Sequence, residues 1–306
     1  MFATYLRLIR WPNLLIIGLI FLLAKTQLVD GLTELSGIES CVDNLYWFLL
    51  ALATMFIAAS GNVVNDIFDQ DIDFHNKPSE IIVGNTVSEA TSWNLYYGLA
   101  SAGLVVGMVL CWGMGNLSNS LIFMLAAGGL YFYSHTYKRQ FLIGNLVIAL
   151  LAGLVPFLPL YLEMICEPSQ WSSVPWAGFL MAFSVFSFLT TLIREIIKDM
   201  EDVKGDTLVR CNTVPIAIGM KGAKALVVAL LLLLMGLVGW LQVAWLSERM
   251  LLSLYFLIAV QIPAVYLVFL VIKGEGKPSF KRASLISKII MLTGILSMIV
   301  FKITLS

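Results

Sequence analysis

The sequence predicts an all-α fold, an integral membrane bundle of about nine transmembrane helices with its active-site loops on the cytoplasmic side. Three observations predict it. Of the 306 residues, 59% are hydrophobic and 12% charged, with a mean hydropathy of +0.91, which excludes the mixed charged surface of a soluble enzyme. Charge-free windows recur at the length of about 20 residues that a helix needs to cross a bilayer. The 19 basic side chains also sort unequally, 16 to one side of the implied membrane and 3 to the other, as the positive-inside rule requires.

Arg7 and Arg10 precede an apolar run from Trp11 to Ala24. It imitates a signal peptide, but no small-residue cleavage site precedes Lys25, so it reads as a retained first helix. Asn44 to Asn65 holds one span. Ala90 to Tyr137 holds two, joined by a turn at Gly113 to Asn119. Gln140 to Leu162, Pro168 to Ile193, Ala225 to Ser247 and Met250 to Ile272 hold one each. The last runs from Ala283 to Leu305, where Lys288 and Lys302 can snorkel. No linker or low-complexity stretch divides the chain, so residues 1–306 are expected to form a single polytopic domain in the plasma (cell inner) membrane. The 19 acidic residues cancel the 19 basic ones, which leaves no case for a nucleic-acid partner. Cys41, Cys111, Cys166 and Cys211 stand far apart and read as small buried hydrophobes, not as a zinc site or a disulfide scaffold.

The second helix runs out of apolar residues into Asn65, Asp66, Asp69 and Asp73. The spacing i, i+3, i+7 puts three carboxylates on one helical stripe, with Asn62 and Asn65 close to it. The sixth helix ends in Lys198, Asp199, Asp202 and Asp206, the same spacing 133 residues later. Like charges at these spacings destabilise a helix. One such cluster is explained as a charged helix end at the membrane surface; a matching pair, each where an even-numbered helix emerges on the inner side, points to a shared site. Facing stripes would form a cage of six carboxylates, suited to Mg²⁺, whose shell commonly includes substrate phosphate oxygens. That points to a diphosphate. The loop after the fourth helix brings Lys138 and Arg139 near the stripes.

Asn65-Asp66-x-x-Asp69-x-x-x-Asp73 and Asp199-x-x-Asp202-x-x-x-Asp206 resemble the paired signatures of the UbiA superfamily of membrane-embedded prenyltransferases. The resemblance covers the whole chain, in helix number and loop positions. Arg194 to Asp206 and the following Asn212-Thr-Val-Pro215 are most similar to its digeranylgeranylglyceryl phosphate synthase branch. The resemblance implies Mg²⁺ at the six aspartates, which are then both metal-binding and catalytic. It implies a polyprenyl diphosphate donor contacted by Lys138, the better candidate of the Lys138–Arg139 pair, and by Asn62, Asn65, Lys77 and Lys198. Arg10 and Asn13 resemble positions facing the acceptor, although Arg10 is equally explained as a topology anchor. One departure stands out: the family's N-R-P-x-R-P continuation reads Asn76-Lys77-Pro78-Ser79-Glu80 here. Lys77 replaces the first basic residue as a point charge, and Glu80 inverts the sign of the second. Asn145 reads either as a pocket residue or as an interhelical hydrogen bond. His75 and His135 lack metal-ligand spacing and are assigned no chemistry.

The expected reaction moves a polyprenyl group, geranylgeranyl on the branch resemblance, from an allylic diphosphate to geranylgeranylglyceryl phosphate. Ionisation gives an allylic carbocation and diphosphate, and the apolar bundle keeps water from the cation. Asp66 is the candidate proton acceptor. The alternative acceptor is an aromatic ring of quinone or chlorophyll-type biosynthesis, such as a hydroxybenzoate or homogentisate. A cation transporter is the competitor from another class, but transport sites tend to lie near the midplane on broken helices, whereas both clusters begin where the apolar windows stop. The D-G-x-x-A-R run of CDP-alcohol phosphotransferases is absent from the chain.

Overall fold

The structure is a computed structural model that describes residues 2–31, 40–76, 78–167 and 177–305. Backbone polar groups in hydrocarbon must be satisfied within their own segment, and the described residues are organised as helices accordingly. These are α1 (Phe2–Leu8), α2 (Trp11–Val29), α3 (Asn44–Phe68), α4 (Gln70–Asn76), α5 (Glu89–Gly113) and α6 (Leu121–His135). They continue as α7 (Ile143–Cys166), α8 (Ala177–Leu208), α9 (Gly219–Trp245), α10 (Met250–Lys273) and α11 (Gly276–Leu305).

Eight of these are long and apolar enough to cross a bilayer. The ninth expected span, α6, has 15 residues and is lengthened by a 3₁₀ turn at Leu117–Ser120. The protein is an integral membrane protein. Several boundaries differ from the charge-free windows. Helix α2 passes Lys25 through a π-helical stretch, Ala24–Val29, because the Lys25 ammonium pairs with Asp30 at 2.8 Å and lies over the Trp47 ring. Helix α8 continues beyond Ile193 through its acidic run to Leu208, and α11 starts at Gly276 instead of Ala283. The expected start of the sixth span at Pro168 lies outside the described residues.

In their apolar windows, α3 is 56% and α8 61% buried, against 22 to 28% for α5, α9 and α10, so α3 and α8 are the central helices. Helix α3 packs on α2, α5 and α6, while α8 packs on α7, α9 and α11. Short α4 crosses from the end of α3 onto α8. Both acidic motifs therefore lie on the innermost helices and at the same end of the bundle. At the other end Lys302 donates to the Thr26 carbonyl at 3.4 Å, and the Arg249 guanidinium lies over the Phe301 ring. The three basic residues assigned to the far side, Lys25, Arg249 and Lys302, are all found there.

The cysteines require a correction. Cys111 and Cys211 are buried thiols as expected, but Cys41 and Cys166 form a disulfide that ties the segment before α3 to the end of α7. Their separation of 125 residues hides the pairing until the helices are placed. Beside it, fully buried Glu163 accepts a 2.6 Å hydrogen bond from the Ser40 hydroxyl. Mass spectrometry after alkylation of the denatured, unreduced protein should find the two free cysteines modified, and reduction should expose all four. Four modified before reduction would refute the pairing.

Candidate active site

The site begins at a break in the chain. Arg10, between α1 and α2, adopts φ 52°, ψ 53°, a left-handed conformation that costs a non-glycine residue about 1–2 kcal/mol. Two features hold it there. Pro12 opens α2 with a preset φ, and Asn62 of α3 donates its side-chain N–H to the Ile9 carbonyl at 2.9 Å. Asn62 and Asp66 are four residues apart and share a helix face. The same face that fastens the break thus receives the Arg10 guanidinium, whose Nη2 donates to Asp66 Oδ1 at 2.7 Å.

One turn on, α3 ends at Phe68. The first acidic stripe is therefore not one straight helix: Asp69 caps α3 at φ −90°, ψ 0°, and Asp73 follows on α4. The Asp73 N–H still donates to the Asp69 carbonyl at 2.8 Å, so the helical spacing is kept across the break while α4 packs on α8. Asp69 is 3% exposed. Its Oδ2 accepts from Asn65 Nδ2 at 2.7 Å and from the Lys138 ammonium, which also reaches Asn65 Oδ1 at 3.4 Å. Burial works to lower the Lys138 pKa, but the Asp69 carboxylate outweighs it and holds the ammonium well above the ordinary lysine value. Lys138 is charged throughout the neutral range. Its side chain is 28% exposed and that of Asp69 4%, so losing it would cost less than the 3–5 kcal/mol of a fully buried pair, about 1–3 kcal/mol.

The second motif is partnered from other directions. Asn145 of α7 donates to Asp199 Oδ2 at 2.9 Å, which gives it the interhelical bond the sequence left open. Lys277, at the start of α11, lies 3.6 Å from Asp202 Oδ1. Asp206 is buried. Glu195 gathers Arg194 at 2.6 Å and Lys198 at 3.3 Å, so Lys198 is committed to this carboxylate. Arg139 is exposed and lines an open cleft with Asp71, Phe74 and Val209, beside the charge cluster. Asn13 is exposed at the first turn of α2. Lys77 lies outside the described residues. Among the described residues no three carboxylate, imidazole or thiol groups converge on one point. The expected six-carboxylate cage is thus not closed in this conformation, because Arg10, Lys138, Lys277 and Asn145 each draw a carboxylate to themselves.

The two motifs nevertheless share neighbours. Tyr133 of α6 is within electrostatic reach of Asp69, Lys138, Glu195 and Asp199, and Cys211 of both Asp206 and Asp69. Tyr133 carries no sequence signal of its own, since it lies in an aromatic run. Next to Asp69, Phe68 meets His135 and Tyr131 edge-on at 5.1 and 5.8 Å between centroids, and His135 stacks on Tyr131 at 5.9 Å. These rings wall the acidic groups on the α5–α6 side.

Comparison with known proteins bears on this arrangement. Residues 34–289 match the UbiA prenyltransferase family. The chain belongs to that family. It is 27% identical over 301 residues to the digeranylgeranylglyceryl phosphate synthase of Thermococcus kodakarensis, spanning 98% of each protein. A solved structure described as that of digeranylgeranylglyceryl phosphate synthase in membranes superposes with a TM-score of 0.68 at 27% identity, over 99% of this chain and 98% of the other. A UbiA homologue from Archaeoglobus fulgidus, bound to GPP and Mg²⁺, shares the fold at a TM-score of 0.58 and 17% identity, over 96% and 99% of the two chains. The protein is a UbiA-type prenyltransferase.

In this UbiA chain the placement of Lys138 depends on one residue that sequence reasoning passed over. A Cβ on Gly144, in the first turn of α7, would lie 2.7 Å from the Tyr137 carbonyl oxygen and 2.8 Å from the Lys138 Cα. Only glycine lets the 137–139 turn close onto α7. Gly144→Ala should displace Lys138 and lower kcat/KM by about 10- to 100-fold, the scale of a misplaced catalytic group, with the bundle still folded by circular dichroism. Unchanged steady-state kinetics would show that the lysine does not need this seat.

Proposed function

We propose that the protein transfers a geranylgeranyl group from its allylic diphosphate to geranylgeranylglyceryl phosphate, with Mg²⁺ as cofactor, on the cytoplasmic side of the plasma membrane. The observation that carries the reading is the meeting of two aspartate motifs at one end of the two most buried helices, with Lys138 and Arg10 brought in from breaks in other helices. The name of the Thermococcus relative supports the donor and acceptor. The sorting of basic residues supports the sidedness, as does a disulfide at the end of the bundle remote from the acids, since disulfides persist in oxidising compartments. The whole chain acts as one domain in this reading.

The six aspartates offer only carboxylate oxygens, the donor type that suits a hard cation, and Asp66, Asp69, Asp73, Asp199, Asp202 and Asp206 would hold it. When bound, Mg²⁺ supplies Lewis-acid stabilisation of the leaving diphosphate. Lys138 and Arg10 move their positive charge from carboxylate toward the diphosphate oxygens as these gain charge, which lowers the barrier electrostatically. The allylic C–O bond breaks with its electron pair going to the diphosphate. The packed apolar helices and the ring wall around Phe68 exclude water, so the acceptor hydroxyl reaches the cation first. A C–O ether bond forms, and the hydroxyl proton passes to a carboxylate of the cluster that is not holding metal at that moment, Asp66 being the candidate.

Purified protein given labelled geranylgeranyl diphosphate and geranylgeranylglyceryl phosphate should release diphosphate only with Mg²⁺ and yield an ether lipid identified by mass spectrometry. Asp69→Ala and Asp202→Ala should each reduce the rate by about 10²-fold or more. Product formed only with an aromatic acceptor would replace the lipid acceptor with a ring, and cation flux without diphosphate release would refute the enzyme altogether.

A further inference from the structure

Most basic residues at the acidic end need no explanation beyond membrane topology, but Lys277 is placed by a dedicated apparatus. Lys224 of α9 donates to the Gly274 carbonyl at 2.8 Å and to the Ile272 carbonyl at 3.1 Å, satisfying acceptors that the end of α10 leaves open. The same ammonium lies 5.9 Å from the centre of the Phe280 ring, and Phe280, 1% exposed, anchors the first turns of α11. Gly274 closes the turn tightly: a Cβ there would stand 2.6 Å from the Leu270 carbonyl oxygen. The chain then enters α11 at Gly276 with φ +67°. Lys277 is the next residue, and it faces Asp202 at 3.6 Å. A topology anchor needs only to reach the headgroups; this lysine is aimed at the second aspartate motif.

The flank from which it comes is also particular. Arg10 and Lys138 face Asp66 and Asp69 of the first motif. Lys277 approaches the second motif from α11, whereas Asn145 reaches it from α7. With 44% of its side chain exposed, it remains accessible to a ligand. Lys281, one helical turn on and on the same face, is exposed as well.

We propose that Lys277, with Lys281 beside it, binds the phosphate monoester of the lipid acceptor and so determines acceptor specificity. The inference rests on the acceptor reading above. In a prenylglyceryl phosphate the attacking hydroxyl is on the carbon next to the one bearing the phosphate. The phosphate must then lie beside the acidic motifs, where it is repelled unless a cation is held there for it. The cations on the first motif serve the diphosphate leaving group, and Lys198 and Arg194 are taken up by Glu195; Lys277 stands at the second motif, and its ion pair with Asp202 keeps it aimed there until the phosphate arrives.

The full-length protein in nanodiscs tests this with two acceptors, geranylgeranylglyceryl phosphate and the same lipid lacking its phosphate. Acceptor binding without donor is followed by tryptophan fluorescence, and KM values by product formation. Lys277→Ala should raise the KM and Kd for the phosphorylated acceptor by about 10- to 100-fold, as expected for loss of a charged hydrogen bond. It should leave the KM for the donor unchanged and abolish the preference for the phosphorylated over the unphosphorylated lipid. Lys277→Arg should restore part of that preference. A rise in donor KM, an equal loss with both acceptors, or no change would overturn the proposal. Failure of the acceptor reading itself would appear separately, as absence of ether product with the unaltered protein, and would overturn the phosphate assignment with it.

Discussion

Concentrated negative charge at the end of an apolar bundle is the constraint on which the rest of this structure depends. Six aspartates and a buried glutamate stand where α3 and α8 leave the bilayer, and like charges so close repel unless positive groups are fixed among them. The fold supplies those groups from discontinuities. Arg10 comes from a left-handed break, Lys138 from a 3₁₀ turn seated on Gly144, and Lys277 from a turn clasped by Lys224. Helix interiors supply amides instead, as Asn65 and Asn145 do. Cations at breaks can change partner without unwinding a helix, as the proposed exchange of carboxylate for diphosphate requires.

The acids cluster at the ends of the two helices with the most neighbours, with Asp73 just beyond on α4. With more than half of their apolar windows buried, α3 and α8 cannot tilt or slide readily, so the spacing between the motifs is set by the core and not by loops. The peripheral helices α5, α9 and α10 show most of their surface to lipid, where they close the apolar interior to water. Stability and chemistry are thereby divided: interior packing holds the carboxylates, and the breaks and turns of neighbouring elements deliver the countercharge.

Most of the architecture was legible because bilayer thickness imposes a length on every apolar window. Asn44 to Asn65 and Met250 to Ile272 differ from their helices by a few residues at most. The repeated i, i+3, i+7 spacing of aspartates was legible because it opposes helix stability and so demands another cause. What escaped were pairings across elements. Nothing local to Cys41 announces Cys166, and nothing local to Asp202 announces Lys277; each pair meets only once the helices are assembled. The bend at Asp69 escaped too, since its Asn-Asp-x-x-Asp run reads as continuous helix. Lys25 and Arg10 differ in kind: a charge read as ending a helix was absorbed by Asp30 and Trp47, and an arginine that the sequence left open between site and anchor is tied to Asp66.

The account stands or falls on whether the two aspartate motifs act on one diphosphate. A structure with Mg²⁺ and a non-ionisable geranylgeranyl thiodiphosphate tests it most directly. Metal held between carboxylates of both motifs, with the Lys138 ammonium transferred from Asp69 to a diphosphate oxygen, is the predicted result. Diphosphate bound at one motif alone, with the Lys138–Asp69 pair intact, would contradict it.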